Sequence, residues 1–443
     1  MAGIQKQNFQ QHKYLFYIII IFLSIILGFL VSLSPVFTLI FFNVIIFLIW
    51  MLKKNNRIPI VLLISSSISI NIIFSFNLLG FDTLTLYKLL VIFIVLIFLK
   101  YYGANIKNGL PVLALFLLLM LSYTLSDLHP RLNTLDPFIS FVGLVSSFLI
   151  LIVKWDEKMS NRIIITIPFL PLISVFVGAG LDILGVHPLI TEEYSGGKRL
   201  QGANIGPHLA MLAFLGFCVS LIEIKRRANK KLLLFILSAS NFLILLSTGT
   251  RGPLICCVVL IIVYLADNIK EIVKGRIFVI VPLSLFLITI TTFLITQWQN
   301  IILRSFNSNT TDIGINLSGR DIAWRYFISQ AKGAEIFGQG LGAVLVANDG
   351  SLYKGFTVPH NEYIRFFFDN GIIGLILIFG SLLFVLINTG IRLQKKIHIY
   401  YFSFILSFLI YSFVDNTLST IQFIVPFCFY ISALSSLNTK TSL

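Results

Sequence analysis

Gly371–Gly390 reads GIIGLILIFGSLLFVLINTG, a run with no charged residue. At about 1.5 Å of rise per residue, a helix of that length crosses the ~30 Å hydrocarbon core of a bilayer. Tyr14–Ser34 and Ile277–Trp298 have the same character. The whole chain follows suit. Its 443 residues are 57% hydrophobic and 12% charged, about half the charge density of a soluble domain. A water-soluble protein is excluded, and the expected fold is all-α, a polytopic membrane protein of about 12–14 transmembrane helices.

Working outward, candidate spans fall near 14–33, 35–52, 58–80, 84–99, 111–127, 137–153, 163–185, 205–224, 232–248, 253–269, 277–297, 371–390, 399–418 and 420–437. The chain thus divides into helices in 1–297, one long loop in 298–370, and closing helices in 371–443. The 33 Lys+Arg exceed the 18 Asp+Glu, and most cations collect in alternate short connections such as Lys225–Lys231, Lys270–Arg276 and Arg392–Lys396. The positive-inside rule then puts both termini in the cytoplasm. The same distribution removes nucleic acid as a partner and leaves the lipid bilayer. Cys218, Cys256, Cys257 and Cys428 all lie in apolar runs and form no metal-ligand pattern.

A loop of roughly 70 residues among short connections is a functional signal. Ser318 and Asp321 suit the start of a helix through about Ala331. Gly338, Gly340 and Gly342 break the chain. A second helix is expected from Pro359 or His360 to Asp369, turning at Asn370-Gly371 into the next span. Aromatic residues on both helices (Trp324, Tyr326, Phe327; Tyr363, Phe366, Phe367, Phe368) suit an extracytoplasmic lid lying on the membrane surface.

The remaining outer charges are few. Arg251 sits between two apolar runs in Ser247–Pro253, where hydroxyls and glycines let a phosphate approach; an ionisable group at that depth points to function, and a snorkelling anchor is the bland alternative. Arg320 falls in the first turn of the lid helix, where free N–H groups and a guanidinium hold an anion together. Arg199 precedes a span in Lys198–Asn204. His360 is suited to proton transfer near neutral pH, and His129, His187 and His208 compete for that role. No carboxylate falls at mid-span, which weakens a transporter, and no outer Asp-x-Asp supports a metal-dependent transferase. What remains is a site without metal or cofactor: arginines for a diphosphate and a histidine for a hydroxyl.

Thr248–Gly252, Ser318–Asp321 with Trp324, Gly338-x-Gly340-x-Gly342, and Pro359–Tyr363 followed by Gly371–Leu375 together resemble the O-antigen ligase / O-antigen polymerase superfamily over about residues 195–390. The resemblance implies an enzyme of the bacterial inner membrane, active on its outer face. It would transfer a whole glycan from undecaprenyl diphosphate to an acceptor hydroxyl, with inversion and without metal. By motif position, Arg251 and Arg320 would bind the diphosphate and His360 would deprotonate the acceptor. Arg199 becomes a substrate contact. Glu362 orients His360, reads sugar hydroxyls, or is a solvated helix-start residue. The favoured expectation is a polymerase of lipid-linked repeat units for capsule or O-antigen, with a chain-length regulator or flippase as further partners. The ligase, acting on a lipid-core acceptor, is the nearest rival; a polysaccharide flippase or transporter is the more distant one.

Overall fold

The computed structural model describes residues 57–75, 77–78, 80–125, 129–133, 135–192, 198–227, 229–275, 320–348 and 357–437, with 284, 291 and 295 as single positions. The account below concerns the unit Pro59–Leu443. The expected spans at 14–33 and 35–52, all but three positions of that at 277–297, and residues 298–319, with Ser318, and 349–356 of the long loop lie outside the described residues.

In lipid, backbone N–H and C=O groups must be satisfied within the chain, so long apolar runs become helices. The order is α1 (Ile58–Ser65), α2 (Ile70–Ile73), the hairpin β1 (Asn77–Leu78) and β2 (Phe81–Asp82), then α3 (Thr83–Tyr102), α4 (Ile106–Thr124), α5 (Leu135–Phe148), α6 (Glu157–Thr166) and α7 (Leu170–Ile183). A second hairpin, β3 (Ile190–Glu192) and β4 (Lys198–Leu200), leads into α8 (Gly206–Arg226), α9 (Lys231–Ser247) and α10 (Arg251–Val273). After these come α11 (Arg320–Gln330), the single turn α12 (Ala343–Val346), α13 (Glu362–Ile391), α14 (Lys395–Val414) and α15 (Ile421–Leu437). Among the described residues, eight helices are long and apolar enough to cross a membrane, and α9 and α15 are shorter apolar helices. The chain is an all-α polytopic membrane protein.

The expected span at 58–80 is broken. Ser65, Ser66 and Ser67 turn their hydroxyls back onto the carbonyls of Leu62, Leu63 and Ile64 at 2.9, 2.7 and 2.6 Å, the local competition that ends helices. The N–H of Ser69 then donates to Ala203 O at 3.0 Å. The interruption is used for packing. Ser69 Oγ donates to Asn204 Oδ1 (2.7 Å), Asn204 Nδ2 donates to Ser67 O (2.8 Å) and Ser174 Oγ (2.7 Å), and Gln422 Nε2 donates to Ser69 Oγ (2.9 Å). This satisfied buried network fixes the 201–205 segment that starts α8.

α8 is buried along nearly its whole length and packs against α9, α10, α14 and α15. Phe214 meets Tyr411 edge-on at 5.3 Å, while Phe408, Phe423 and Phe427 stack at 4.7 to 6.0 Å. The segment from α11 to the start of α13, expected to form the lid, has its own small core of Phe327, Ala331, Ala343, Val344, Ala347 and Phe368. Asp369 anchors the glycine-rich stretch, accepting from the N–H groups of Gly342 (3.1 Å) and Val344 (2.8 Å). The two helices expected on either side of Asn370 are both present, joined end to end as α13 across a kink at Gly371, whose φ 65° and ψ −173° are not helical.

Candidate active site

The site is built where the start of α13 meets the end of α14. Asn361 caps α13, its Oδ1 accepting from the N–H groups of Tyr363 (2.9 Å) and Ile364 (3.1 Å). His360, just before the cap, has φ 48°. A non-glycine residue in the left-handed region costs energy and persists only where its surroundings hold it. Trp324 supplies one hold, donating Nε1–H to Pro359 O at 2.8 Å.

In this conformation His360 Nδ1 lies 3.5 Å from Asp415 Oδ1 and 3.3 Å from Asn416 Nδ2. Asp415 follows the last residue of α14 and is buried. Burial pushes its carboxyl upward, but the hydrogen bond to His360, the nearby Arg320 charge and the Asn416 N–H (2.9 Å) together hold it below the usual carboxylate range. Asn416 Oδ1 is buried without a hydrogen-bond partner. Turning that amide over exchanges its N and O and gives Nδ1–H two acceptors, the tautomer that leaves Nε2 free as a base.

Glu362 is fully buried rather than a solvated helix-start residue. Its Oε1 accepts from Leu418 N (2.7 Å), Ser419 N (3.1 Å) and Ser419 Oγ (3.2 Å), and its Oε2 lies 3.2 Å from Arg365 Nη1. It therefore clamps the turn that carries Asp415 and Asn416 to the helix whose start carries His360.

Arg320 opens α11, and Trp324, one turn later, packs on Phe413 at 5.2 Å. That contact sets Arg320 beside Asp415, whose carboxyl feels its charge. Asp321 pairs with Arg325 at 3.0 Å on the same helix. Arg251 opens α10 after a turn in which Gly249 takes φ 61° and Thr250 N–H donates to Thr248 Oγ1 at 3.3 Å. A Cβ at Gly252 would stand 3.0 Å from Val414 Cγ2 and 3.6 Å from Tyr411 Cε2. The close approach of α10 to α14 thus delivers Arg251 to the same helix end as Asp415.

Arg199 lies on β4 opposite Thr191, and its side chain covers Gly206 at the start of α8, with Cδ 3.6 Å from where a Cβ would stand. Two residues on, His208 is close enough to Asp415 and His360 to feel both charges, and its Nδ1 is buried without a partner. The other histidines weighed from the sequence are engaged elsewhere. His187 Nε2 is 2.9 Å from Asn204 O, and His129 Nδ1 accepts from Arg131 N at 3.2 Å, burial and the Arg131 charge holding its ring below the ordinary histidine value. The structure gathers His360, Asp415, Arg320 and His208, with Arg251 one helix contact away and Arg199 at the start of α8. A guanidinium and two imidazoles near one carboxylate, with a second guanidinium on the neighbouring helix start, suit an anionic substrate and proton transfer.

Residues 233–379 match the family model for O-antigen ligase. That third of the chain is similar to the O-antigen ligase family. No curated protein matches it. The matched segment contains Arg251, Arg320, His360 and Glu362, whereas Arg199, His208 and Asp415 lie outside it. Asp415 was not among the residues singled out from sequence. Its only signal there is a carboxylate followed by an amide at the end of an apolar run, and its distance along the chain from His360 conceals the pairing.

Proposed function

We propose that this protein is a membrane glycosyltransferase that takes a glycan en bloc from undecaprenyl diphosphate and passes it to an acceptor hydroxyl on the outer face of a bacterial inner membrane. The observation that carries the reading is the meeting of His360, Asp415 and Arg320 at the end of α14, with Gly252 of the Arg251 turn packed on Val414.

The chemistry follows from those positions. His360 Nε2 takes the proton of the acceptor hydroxyl while Asp415 orients the ring and stabilises the imidazolium that forms. The hydroxyl oxygen bonds to the anomeric carbon on the face opposite the leaving group, and the carbon–oxygen bond to the diphosphate breaks with its electron pair going to the phosphate. Arg320 and Arg251 offset the charge that develops on the departing diphosphate. Inversion at the anomeric carbon results, with no metal needed for charge neutralisation. Arg199, at the start of α8, contacts the substrate, and Glu362 acts through the turn it holds.

The acceptor we favour is a second lipid-linked glycan, which makes the enzyme a repeat-unit polymerase for capsule or O-antigen. The deciding experiment gives purified protein one lipid-linked oligosaccharide, EDTA and no second acceptor, and separates the glycolipids on a gel. A ladder of multiples that disappears in His360→Ala and Arg251→Ala supports the polymerase and its site. No ladder, with transfer only when a lipid core is added, makes the enzyme a ligase. Ladders that persist in both variants move the site elsewhere.

A further inference from the structure

The turn between α11 and the glycine-rich stretch is splinted onto the bend of α13. Ile372 N–H donates to Glu335 O at 2.8 Å and Ile373 N–H to Ile336 O at 3.4 Å, while Gln339 and Gly340 donate to the carbonyls of Phe368 and Asp369 at 2.9 Å. A Cβ at Gly371 would stand 2.2 Å from Ile336 O, and one at Gly338 would stand 2.4 Å from Asn370 N. The lid turn is therefore held against the point where the chain begins its apolar run.

Ile336 and Phe337, 57% and 64% exposed, are continuous with Ile372, Ile373 and Ile376, at 43%, 41% and 62%. The last three belong to a helix long and apolar enough to cross a membrane, and their exposure there suits contact with lipid. On the other side of the turn, Lys332, Gly333 and Glu335 are exposed. Glu335 accepts from Gly333 N–H at 2.9 Å, and its own N–H and that of Gly333 hold its carboxyl below the ordinary range, so it stays charged beside the apolar tip. Charged residues flanking an isoleucine and a phenylalanine form the pattern of a segment seated between headgroups and acyl chains. Left in water, the same patch would be an exposed apolar surface next to a lipid-covered one.

We infer that Ile336 and Phe337 form a membrane anchor of the lid, inserted among the lipid acyl chains of the leaflet that Ile372 and Ile373 enter. α11 runs about 16 Å from Arg320 to Gln330. The lid is then fixed at two separated points, Trp324 and Arg320 at the site and the 336–337 tip in lipid. The anchor does not depend on which acceptor the enzyme uses.

The test is spin-label accessibility in the full chain, reconstituted in nanodiscs of phosphatidylethanolamine and phosphatidylglycerol. The four native cysteines are buried, and unlabelled wild type checks that they stay unreacted. Labels are placed through Phe337→Cys and, as a second variant, Ile336→Cys. Ile376→Cys serves as the lipid reference and Arg325→Cys, whose native side chain is 78% exposed, as the water reference. The anchor predicts that oxygen relaxes the 336 and 337 labels more than a water-soluble nickel chelate does, as at 376 and opposite to 325. Labels that behave like 325 place the tip in water and overturn the proposal. Labels shielded from both reagents mean that protein covers the tip, and overturn it equally.

Discussion

α8 and α14 run side by side, and their two ends treat charge in opposite ways. At the end where Arg226 meets Lys396, the fully buried Glu223 accepts from Arg226 (2.7 to 2.9 Å) and Arg227 (2.6 Å), while Lys225 pairs with Asp267, which also accepts from Tyr400 Oη at 2.7 Å. Lys396 Nζ closes the contact by donating to Arg226 O at 3.2 Å. Each carboxylate there is paired inside the protein, and the result is structure. At the end where His208 faces Asp415, the Asp415 carboxyl lies among His360 and Arg320 with Arg251 close by, and Glu362 is already engaged by Arg365 and the 418–419 turn. In the proposed function, Arg320 and Arg251 at this end turn their charge to the substrate's diphosphate. Cations at one end of the bundle thus serve packing, and those at the other end, in the proposed function, serve the substrate.

The largest effect expected from this contrast is at His360. His360→Ala should lower the rate of glycan transfer by about 10²–10⁴-fold, the usual worth of a general base, with the folded yield unchanged by size-exclusion chromatography. A poorly folded variant with normal activity per folded molecule would instead make His360 structural. At the opposite end, Glu223→Ala leaves two arginines without their shared partner and should cost about 3 kcal/mol of stability. Thermal unfolding in detergent reads that loss, and transfer per folded molecule should stay at the wild-type level.

Arg320→Lys keeps the charge but removes the planar fork that grips two phosphate oxygens. The expected loss in kcat/KM is roughly 10-fold, about 1.4 kcal/mol, measured against donor concentration, with no change in melting temperature. An equal loss in both quantities would put Arg320 on the structural side of the comparison.

Asp415→Asn tests the same boundary through pH. The folded carboxyl lies below the usual range, so the stability it contributes is fully present above the unfolded value of about 3.9 and is lost as pH falls through the folded value. Wild type should exceed the variant at pH 7, and the gap should close in acid. The smallest effect is expected at Gly252→Ala, where the new methyl meets Val414 Cγ2 at 3.0 Å. A cost of roughly 1 kcal/mol should accompany a reduced transfer rate, because the Arg251 turn is pushed away from Asp415.

The membrane class, the order of most helices and the lid helix from Arg320 were legible because each depends on local composition: apolar length for a span, a first-turn acidic residue for a helix start. The failure at 58–80 has a local cause that hydropathy does not register, three serines whose hydroxyls return to the backbone. Arg251, Arg320 and His360 stood out because isolated ionisable groups are rare near a membrane. Asp415 did not, since one carboxylate at a helix end looks like any other until His360 is found 3.5 Å away.

By itself the sequence determined that this chain resides in a bilayer, that it is helical, and that its unusual charges gather in a few short motifs, because transfer of side chains and backbone into lipid is governed by composition over some twenty residues. Only the tertiary structure decided which charges meet. Glu362 became a clamp, Asp415 became the partner of His360, and His208 came within reach of their charges, because charge and hydrogen-bond geometry are set across helix contacts between residues far apart in the chain.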